Sequence, residues 1–521
     1  MYHIIAILFA LNILLLGLRY LMEGRLEAVF LAWEAVWLTA LLLILPERGR
    51  PWLIKLIVSG LALLFLLASL DVLTRLSFGR RFNFLLDFGL ADSAFHQLTQ
   101  NMGIFVTLIV LAFTAAILFL GIWLVARCFA ALRLPVLTRQ KRLALGLLLC
   151  GLLATSLAGP KLLPYFSTPG LNLITTHWRQ MQETHRAYAD FKRAVTDEHP
   201  LKVRPLPALA GRDVILGFIE SYGVTALFDQ RYAPTIKPRL AEFEQRLKRS
   251  GIHMASAKLI SPVQGGQSWL AHATLLSGLS ITTQRHYELM LSQRQSTLND
   301  DFRKTGHRNL AIMPGLTQPW PQGRQLGYDH VFTARNIPYS GPSLNWVTMP
   351  DQYTWRFFES QRQTYEPPLF AELALISSHA PWTPILPIVD WESLEHSSVL
   401  EQWTALKKEA ETPEELWQDL DRVRVHYARA LDYALAAALG YAERYLEDDA
   451  LLVLLGDHQP APLITGKNAS REVPVHVLSR DKNVVTPFID AGFTSGLIPR
   501  EQSSKRAMAD FRPLLHRLFG H

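Results

Sequence analysis

The sequence predicts an α/β protein in which a bundle of five transmembrane helices precedes a mixed or parallel sheet with helices on both faces. The first observation is that long apolar segments are confined to the first third of the chain. The second is that short apolar runs alternate with helical segments from Arg212 onward, which is typical of a parallel sheet covered by helices. The third is length, because 521 residues suggest more than one structural unit.

The amino-terminal part contains segments that approach the roughly 20 apolar residues of a membrane-crossing helix. They are residues 2–18, 28–45, 52–72, 103–126 and 143–157. The first lacks a basic start and a small-x-small cleavage site, so we interpret it as a membrane helix and not as a signal peptide. Hydrophobic residues make up 49% of the chain, which also favours a membrane protein. Glu34 lies inside the second segment, where we favour an interfacial or bundle-facing carboxylate over a functional charge.

Basic residues in two short loops predict the orientation. Arg48 and Arg50 lie between the second and third segments, and residues 127–142 carry five basic residues and no acid. Short basic loops stay in the cytoplasm, so we expect the large carboxy-terminal domain to lie outside. The formal net charge of +7 partly reflects these loops. The external part lacks basic-aromatic interleaving, so nucleic acid is not an expected partner.

The chain is predicted to have three regions. They are a five-helix transmembrane anchor at 1–160, a juxtamembrane helix and linker at 161–210, and an external domain at 211–521. Residues 177–195 place aromatic side chains on one helical face, which indicates an amphipathic helix at the membrane surface or a plain linker helix. Both cysteines, Cys128 and Cys150, belong to the anchor, so the external domain has no disulfide.

Strands and helices are expected to alternate in the external domain. The expected strands are residues 214–219, 309–313, 369–377 and 450–455. The expected helices are residues 236–250, 269–276, 300–306 and 423–446. In the first of these helices, Leu240, Phe243 and Leu247 recur at the spacing of one buried helical face.

Polar residues follow two of the apolar runs, which have the composition of buried strands. Glu220 comes directly after residues 214–219, and Asp457 and His458 follow the run that ends at Leu455. In open α/β sheets, ligands bind beyond the carboxyl ends of the strands. We therefore expect Glu220, Asp457 and His458 to meet as ligands of a divalent metal ion. Taken singly, each carboxylate could instead belong to an ordinary turn.

Ser268 follows Gly265 and Gly266 and precedes a predicted helix. Such a loop lets the backbone approach a phosphate, and a helix amino terminus attracts anions through its free N–H groups and dipole. Ser268 also suits a helix N-cap, and the same geometry is compatible with a nucleophile. A hydroxyl beside a divalent ion is an activated nucleophile, so the pattern predicts phosphoryl transfer.

These motifs together resemble the alkaline phosphatase superfamily in its sulfatase-like branch. Within it the chain is most similar to membrane-anchored phosphoglycerol transferases of the lipoteichoic acid synthase type. The motifs are Ile219-Glu220-Ser221, Gly265-Gly266-Gln267-Ser268-Trp269, Ser277-Gly278 and Leu455-Gly456-Asp457-His458. The resemblance covers residues 214–477 and implies that Ser268 is the catalytic nucleophile. It also implies one divalent ion, with Mn²⁺ ahead of Zn²⁺ or Mg²⁺, bound by Glu220, Ser268, Asp457 and His458.

The resemblance also implies substrate contacts. His379 lies in a Ser-x-His-x-Pro element whose histidine contacts substrate phosphate in the family, and Trp346 lies where relatives carry an aromatic residue near the substrate. His272 occupies the position of the sulfatase arginine and is either a phosphoryl contact or a helix-surface histidine. Leu270 stands where sulfatases need proline, so sulfatase maturation is not expected. We interpret His476 as a strand histidine and not as a further ligand.

The implied function is transfer of a phosphoglycerol-type head group from a phospholipid donor to a glycan or lipid acceptor through a phospho-serine intermediate. Three alternatives stay open. They are phosphoethanolamine transfer to lipid A or a polysaccharide, hydrolysis of a phosphodiester or sulfate ester, and non-catalytic lipid binding by a regulator of the same fold. The joint presence of the four metal-site residues argues against the last, while no pattern identifies donor, acceptor or metal.

Overall fold

A computed structural model describes residues 2–26, 29–90, 95, 99, 103–131, 134–157, 166–196, 202–365, 368–394, 396–502 and 506–520. The chain forms two compact units. The first comprises Met1–Leu76 and Arg80–Ala187, and the second comprises Ser77–Gly79 and Tyr188–His521. Residues 158–165, at the predicted junction of anchor and juxtamembrane region, lie outside the described residues. The three predicted regions stay a prediction.

The amino-terminal part of the chain is helical and mostly apolar. Its helices are Tyr2–Glu23, Trp33–Ile44, Arg50–Phe78, Phe84–Asp87, Ile104–Ala131, Arg139–Leu157 and Pro169–Thr196. Within the described residues, three helices are long and apolar enough to cross a membrane, namely Tyr2–Glu23, Arg50–Phe78 and Ile104–Phe129. They correspond to the first, third and fourth predicted segments.

The second predicted segment, residues 28–45, forms a shorter helix than expected. Its helix, Trp33–Ile44, has 12 residues and covers about 18 Å, less than the roughly 30 Å of a bilayer core. The chain before it is extended, because Leu31–Ala32 pairs with Phe166–Ser167. The fifth predicted segment lies in helix Arg139–Leu157, which has 19 residues and begins with a basic turn. Five crossings are therefore not confirmed.

Glu34 lies in the short second helix and is buried. Its Oε1 atom accepts a hydrogen bond from the backbone N–H of Leu171 at 3.1 Å, at the start of helix Pro169–Thr196. A carboxylate at this end satisfies a free N–H group and complements the helix dipole. Glu34 therefore has a structural contact inside the bundle, in agreement with the favoured interpretation.

Reporter fusions distinguish five membrane crossings from three. With five crossings, a reporter near Arg139 lies in the cytoplasm and one fused after His521 lies outside, as basic loops require. We expect an export-dependent phosphatase reporter to be active after His521 and inactive near Arg139. Activity at both positions would leave only three crossings, and inactivity at both would contradict the predicted orientation of the carboxy-terminal domain.

An eight-stranded mixed sheet forms the middle of the second unit. Its strands are β1 (Val214–Ile219), β2 (His253–Ile260), β3 (Arg308–Met313), β4 (His330–Thr333), β5 (Leu369–Leu375), β6 (Leu451–Gly456), β7 (Glu472–Ser479) and β8 (Thr494–Ser495). The spatial order is β8-β2-β7-β6-β1-β5-β3-β4. The pairs β6-β1, β1-β5, β5-β3 and β3-β4 are parallel, whereas β7 is antiparallel to both neighbours. The predicted α/β class with a mixed sheet is confirmed.

Helices connect the strands of the second unit. The longer ones are Ala233–Arg249, Ser268–Ser277, Gln284–Ser292, Leu298–Thr305, Asp351–Thr364, Ser397–Glu409, Leu420–Tyr445, Lys482–Asp490 and Phe511–Phe519. Four-residue helices are Thr225–Phe228, Gln322–Gln325, Pro413–Leu416 and Pro462–Thr465. The four predicted helices are present, with ends shifted by one to three residues.

Strand β1 is buried along its whole length. Ile215 and Ile219 belong to one hydrophobic cluster, whereas Val214, Leu216 and Phe218 belong to another. Because side chains alternate across a strand, β1 packs apolar groups on both faces. Polar groups that follow β1 therefore emerge only at the edge where the strand ends.

Candidate active site

The ends of three neighbouring strands define the candidate site. The register pairs Ile219, the last residue of β1, with Leu375 of β5 and with Gly456 of β6. The three strands therefore stop at one level. Glu220 and Asp457, each directly after its strand, emerge side by side at that edge, as expected for parallel strands.

Close packing of the loops after β1 and β6 depends on glycine. A Cβ atom at Gly456 would lie 1.9 Å from the backbone oxygen of Tyr222, and one at Gly223 would lie 1.7 Å from the Gln459 side chain. At Gly456 a larger residue would clash with backbone and push the loops apart, whereas at Gly223 the Gln459 side chain would have to move. The glycines thus bring the backbone segments that carry the polar residues into contact.

Glu220, Asp457 and His458 form one group, in which each residue offers a ligand atom within 4.8 Å of the others. His458 Nε2 lies 3.3 Å from Glu220 Oε1 and 3.5 Å from Asp457 Oδ2. Asp457 and His458 are each only 1% exposed. Two carboxylates and one imidazole are ligands that suit Mn²⁺, Zn²⁺ or Mg²⁺. The structure therefore brings the three sequence-predicted ligands together.

Hydrogen bonds orient the ligand atoms of this group. Asp457 Oδ1 accepts from the backbone N–H groups of Ser221 at 2.8 Å and His458 at 2.7 Å, which leaves Oδ2 for the group. His458 Nδ1 lies 2.9 Å from the carbonyl oxygen of Gln459. A carbonyl only accepts, so Nδ1 carries the proton of the neutral ring, and in that form Nε2 presents its lone pair, as in metal-binding histidines.

The charges within the group favour a bound cation. Burial raises the pKa of Asp457 to about 6, and the charge of Glu220 acts in the same direction. Burial also acts to raise the pKa of Glu220, but the charges of His458 and His379 outweigh it and hold that pKa below its usual range. Burial lowers the pKa of His458, but the two carboxylates outweigh it and raise that pKa. A divalent cation would relieve the repulsion between the carboxylates, so the group fits a metal ion.

Ser268 lies against this group at the start of helix Ser268–Ser277. Its Oγ atom is 3.2 Å from Glu220 Oε2 and 3.2 Å from His458 Nε2. The preceding residue, Gln267, has a φ angle of 67°, in the left-handed region of the backbone that residues other than glycine rarely adopt. Such backbone strain is frequent at functional sites. The hydroxyl therefore stands at a helix amino terminus, within reach of a carboxylate and an imidazole.

His379 and Trp346 form an aromatic pair. Their ring centroids are 3.9 Å apart and the rings are 13° from parallel. His379 Nδ1 lies 2.6 Å from the carbonyl oxygen of Ala380, so Nε2 is its available nitrogen. Ser378 donates a hydrogen bond to the backbone oxygen of Glu220 at 2.6 Å, which ties this loop to the metal-ligand segment. Substrate contact by His379 and Trp346 stays a prediction.

Asp351 supports the same loop and was missed by sequence reasoning. Its Oδ1 atom accepts from the N–H groups of Ile376 at 2.7 Å and Ser377 at 2.9 Å, directly beyond β5. Burial raises the pKa of Asp351 to about 7. In the sequence, Asp351 is recognisable only as an acidic residue after Pro350. No spacing pattern connects it with Ile376, which lies 25 residues later.

His272 lies one helical turn after Ser268 and is not a solvent-facing helix residue. Its side chain is 13% exposed, and its ring stacks on Phe218 with centroids 3.8 Å apart. Nδ1 lies 2.7 Å from Oε1 of Glu372, which sequence reasoning also missed. A ring that is stacked and hydrogen-bonded in this way differs from the solvent-exposed histidine of the helix-surface alternative, whereas contact of His272 with a phosphoryl group stays a prediction.

His476 belongs to β7 and is 1% exposed. Its Nε2 atom lies 2.9 Å from the Tyr222 hydroxyl and its Nδ1 atom 2.8 Å from the Ser256 hydroxyl. Burial lowers the pKa of His476 to about 3, so it is neutral in the core. The interpretation as a strand histidine agrees with this placement.

No family model matches the chain, and no curated protein matches it. Solved structures do match. The integral membrane lipooligosaccharide phosphoethanolamine transferase A of Neisseria meningitidis is 14% identical, with 94% of this chain and 88% of that chain covered and a TM-score of 0.45. A lipoteichoic acid synthase of Listeria monocytogenes is 12% identical, with 64% of this chain and 78% of that chain covered and a TM-score of 0.39.

A protein of the alkaline phosphatase superfamily from Vibrio parahaemolyticus is also similar. It is 14% identical, with 64% of this chain and 75% of that chain covered and a TM-score of 0.37. The similar structures thus include a member of the superfamily and a lipoteichoic acid synthase, which are the names given above to the resemblance of the sequence motifs.

Proposed function

We propose that the chain is a membrane-bound, metal-dependent phosphotransferase with Ser268 as its nucleophile. The observation that carries the proposal is the contact of Ser268 Oγ with Glu220 Oε2 and His458 Nε2, 3.2 Å in each case. An attacking hydroxyl needs a nearby base, and Glu220 is within hydrogen-bond reach of its proton. The phosphate to be attacked is favoured at the helix amino terminus that begins with Ser268.

Glu220, Asp457 and His458, together with Ser268, would hold one divalent ion, with Mn²⁺ ahead of Zn²⁺ or Mg²⁺. Bound there, the ion supplies positive charge that offsets the charge of the phosphoryl group and makes the hydroxyl more acidic. Two ligands are oriented by protein hydrogen bonds in advance, since backbone groups fix Asp457 Oδ1 and His458 Nδ1.

The reaction then has two displacements. In the first, Ser268 Oγ bonds to the phosphorus of a phospholipid and its proton passes to Glu220. The phosphorus–oxygen bond to diacylglycerol breaks, and the diacylglycerol oxygen takes up that proton from Glu220. In the second, an acceptor hydroxyl gives its proton to Glu220 and bonds to phosphorus, while the bond to Ser268 breaks and the serine regains the proton from Glu220. His379 and His272 would contact the phosphoryl oxygens, and Trp346 would pack near the substrate.

The membrane helices favour a lipid as donor. In the described part of the chain three helices are long and apolar enough to cross a bilayer, and a chain anchored by them would meet phospholipid head groups. We propose a phosphoglycerol-type head group as cargo, a glycan or lipid hydroxyl as acceptor, and a periplasmic or extracellular position on the bacterial cytoplasmic membrane. Phosphoethanolamine is the second candidate cargo, because the same four residues would act on either head group.

The donor is tested by diacylglycerol release. The full chain in detergent with Mn²⁺ is incubated separately with phosphatidylglycerol and with phosphatidylethanolamine, each with or without an oligosaccharide acceptor. We expect diacylglycerol from phosphatidylglycerol and a faster rate with acceptor present. Release from phosphatidylethanolamine alone would transfer the assignment to that donor. Release that acceptor does not change would indicate a hydrolase, and no release from any lipid would contradict the proposal.

A further inference from the structure

Glu372 is an acidic residue in the middle of β5, a strand that is otherwise apolar. It is 1% exposed, and the register places it beside Leu216 of β1. A carboxyl group in such surroundings is costly unless hydrogen bonds compensate for the lost water. A leucine or valine would fit the pattern of the strand better, so the presence of Glu372 needs an explanation.

Both oxygens of Glu372 have a partner. Oε1 lies 2.7 Å from His272 Nδ1, and Oε2 accepts from the Tyr328 hydroxyl at 2.6 Å. Burial, and next the charge of Glu372, hold the pKa of Tyr328 well above its usual range, so this hydroxyl keeps its proton and donates it. Since Tyr328 and the Nδ1–H group of His272 both donate, the carboxylate is the acceptor that joins them.

Glu372 and Phe218 together fix the His272 ring. Phe218 covers one face, with centroids 3.8 Å apart and the rings 14° from parallel, and Glu372 holds the Nδ1 edge. In the described part of the chain, nothing forms a hydrogen bond with Nε2. The ring therefore has one anchored nitrogen and one available nitrogen, on the same helix as Ser268 and one turn beyond it.

We infer that Glu372 and Tyr328 are positioning residues that hold His272 so that, when the ring carries both protons, its Nε2–H group donates to a phosphoryl oxygen of the group attached to Ser268. The inference rests on the proposed function and adds two residues to it. A partner that fixes one ring nitrogen of a histidine determines which nitrogen reaches the ligand and at what angle. The buried carboxylate is thereby explained by the task of the histidine it holds.

A double-mutant cycle tests this inference in the full chain, loaded with Mn²⁺ in detergent. The substrate probe is bis(4-nitrophenyl) phosphate, and the binding probe is inhibition by inorganic phosphate. Glutamine has an NH2 donor in place of one carboxylate oxygen, and Tyr328 and His272 face different oxygens, so Glu372→Gln cannot keep both contacts. We expect Glu372→Gln to lower kcat/KM on the order of 10- to 100-fold, as for other partners that orient site histidines. The inhibition constant of phosphate should rise in Glu372→Gln and in His272→Ala.

The coupling between the residues is the decisive readout. If Glu372 acts through His272, the His272→Ala/Glu372→Gln variant retains the kcat/KM of His272→Ala within a factor of two. If the double variant lowers kcat/KM by the product of the two single effects, the inference is overturned. An unchanged kcat/KM in His272→Ala would overturn it as well. Should Glu372→Gln not fold, Tyr328→Phe replaces it in the same cycle, with the same two outcomes.

Glu359→Gln is the matched control. Glu359 is also 1% exposed and accepts from a tyrosine, Tyr441 at 3.0 Å, but it lies outside the site. At temperatures at which the variant stays folded, we expect Glu359→Gln to keep kcat/KM within a factor of two of the unsubstituted protein. A loss equal to that of Glu372→Gln would overturn the inference. Ser268→Ala is measured alongside. If Ser268→Ala is inactive and the effects of His272→Ala and Glu372→Gln on kcat/KM multiply, only the inference fails. If Ser268→Ala turns over normally, the proposed function itself fails.

Discussion

Ser268→Ala is expected to abolish turnover while the protein keeps its fold and its metal ion. The substitution removes only the Oγ atom that lies 3.2 Å from Glu220 and from His458. Glu220, Asp457 and His458 remain as ligands, and alanine is the residue most compatible with a helix. Removing a covalent nucleophile elsewhere has cost on the order of 10⁶-fold in kcat. The measurements are diacylglycerol release from phosphatidylglycerol, metal content and the unfolding temperature.

Ser268→Thr and Ser277→Ala are the controls for this result. Ser268→Thr keeps the hydroxyl and adds a methyl group at a half-buried position, so part of the turnover should remain. Ser277→Ala removes a hydroxyl at the other end of the same helix, where it donates to the backbone of Ala273 at 2.6 Å, and should retain turnover. Near-normal turnover in Ser268→Ala would mean that another residue attacks.

Loss of one carboxylate charge at the metal group is expected to remove the metal ion and the activity together. Asp457→Asn is the sharpest change, because its amide oxygen can still accept from Ser221 and His458 as Oδ1 does. The substitution removes the carboxylate charge at Oδ2, the atom that faces His458 Nε2, and keeps the hydrogen bonds that hold the loop. Glu220→Gln makes the same change at the second carboxylate. We expect metal affinity to fall by more than the roughly 10- to 100-fold that loss of a ligand's supporting partner costs.

His379→Ala is the matched variant for the metal prediction. His379 is outside the Glu220-Asp457-His458 group and stacks on Trp346. Its loss should leave metal content unchanged and raise the KM for the phospholipid, because we place it on the phosphate and not on the ion. Elemental analysis after dialysis decides between the roles. An empty site in His379→Ala, or a full one in Asp457→Asn, would contradict them.

The strands and the meeting of Glu220, Asp457 and His458 could be predicted because they depend on local patterns. Strand β1 was predicted at both ends, since its six residues are apolar and buried throughout. Strand ends in a parallel sheet share an edge, so Glu220, Asp457 and His458 could be expected to meet without knowledge of any contact. Ser268 could be located for a similar reason, because glycines before a helix mark an anion-binding turn.

Long-range contacts account for what sequence reasoning missed. Residues 28–45 are apolar enough for a crossing helix, but strand pairing with Phe166–Ser167 takes up part of the segment. Glu372 lies 100 residues from its partner His272, and neither position carries a sign of the other. A glutamate inside an apolar strand was the available signal, and by itself it could indicate a buried residue of any role.

The central claim is that Ser268 carries the phosphorylated head group during the reaction. Its most direct test is the intact mass of the full chain, quenched in acid after brief incubation with Mn²⁺ and phosphatidylglycerol in the absence of acceptor, followed by peptide mapping. We predict one added phosphoglycerol group per chain, located on Ser268, absent from Ser268→Ala and removed when an oligosaccharide acceptor is supplied. Diacylglycerol release with no added mass on Ser268, or with the added mass on another residue, would contradict the account.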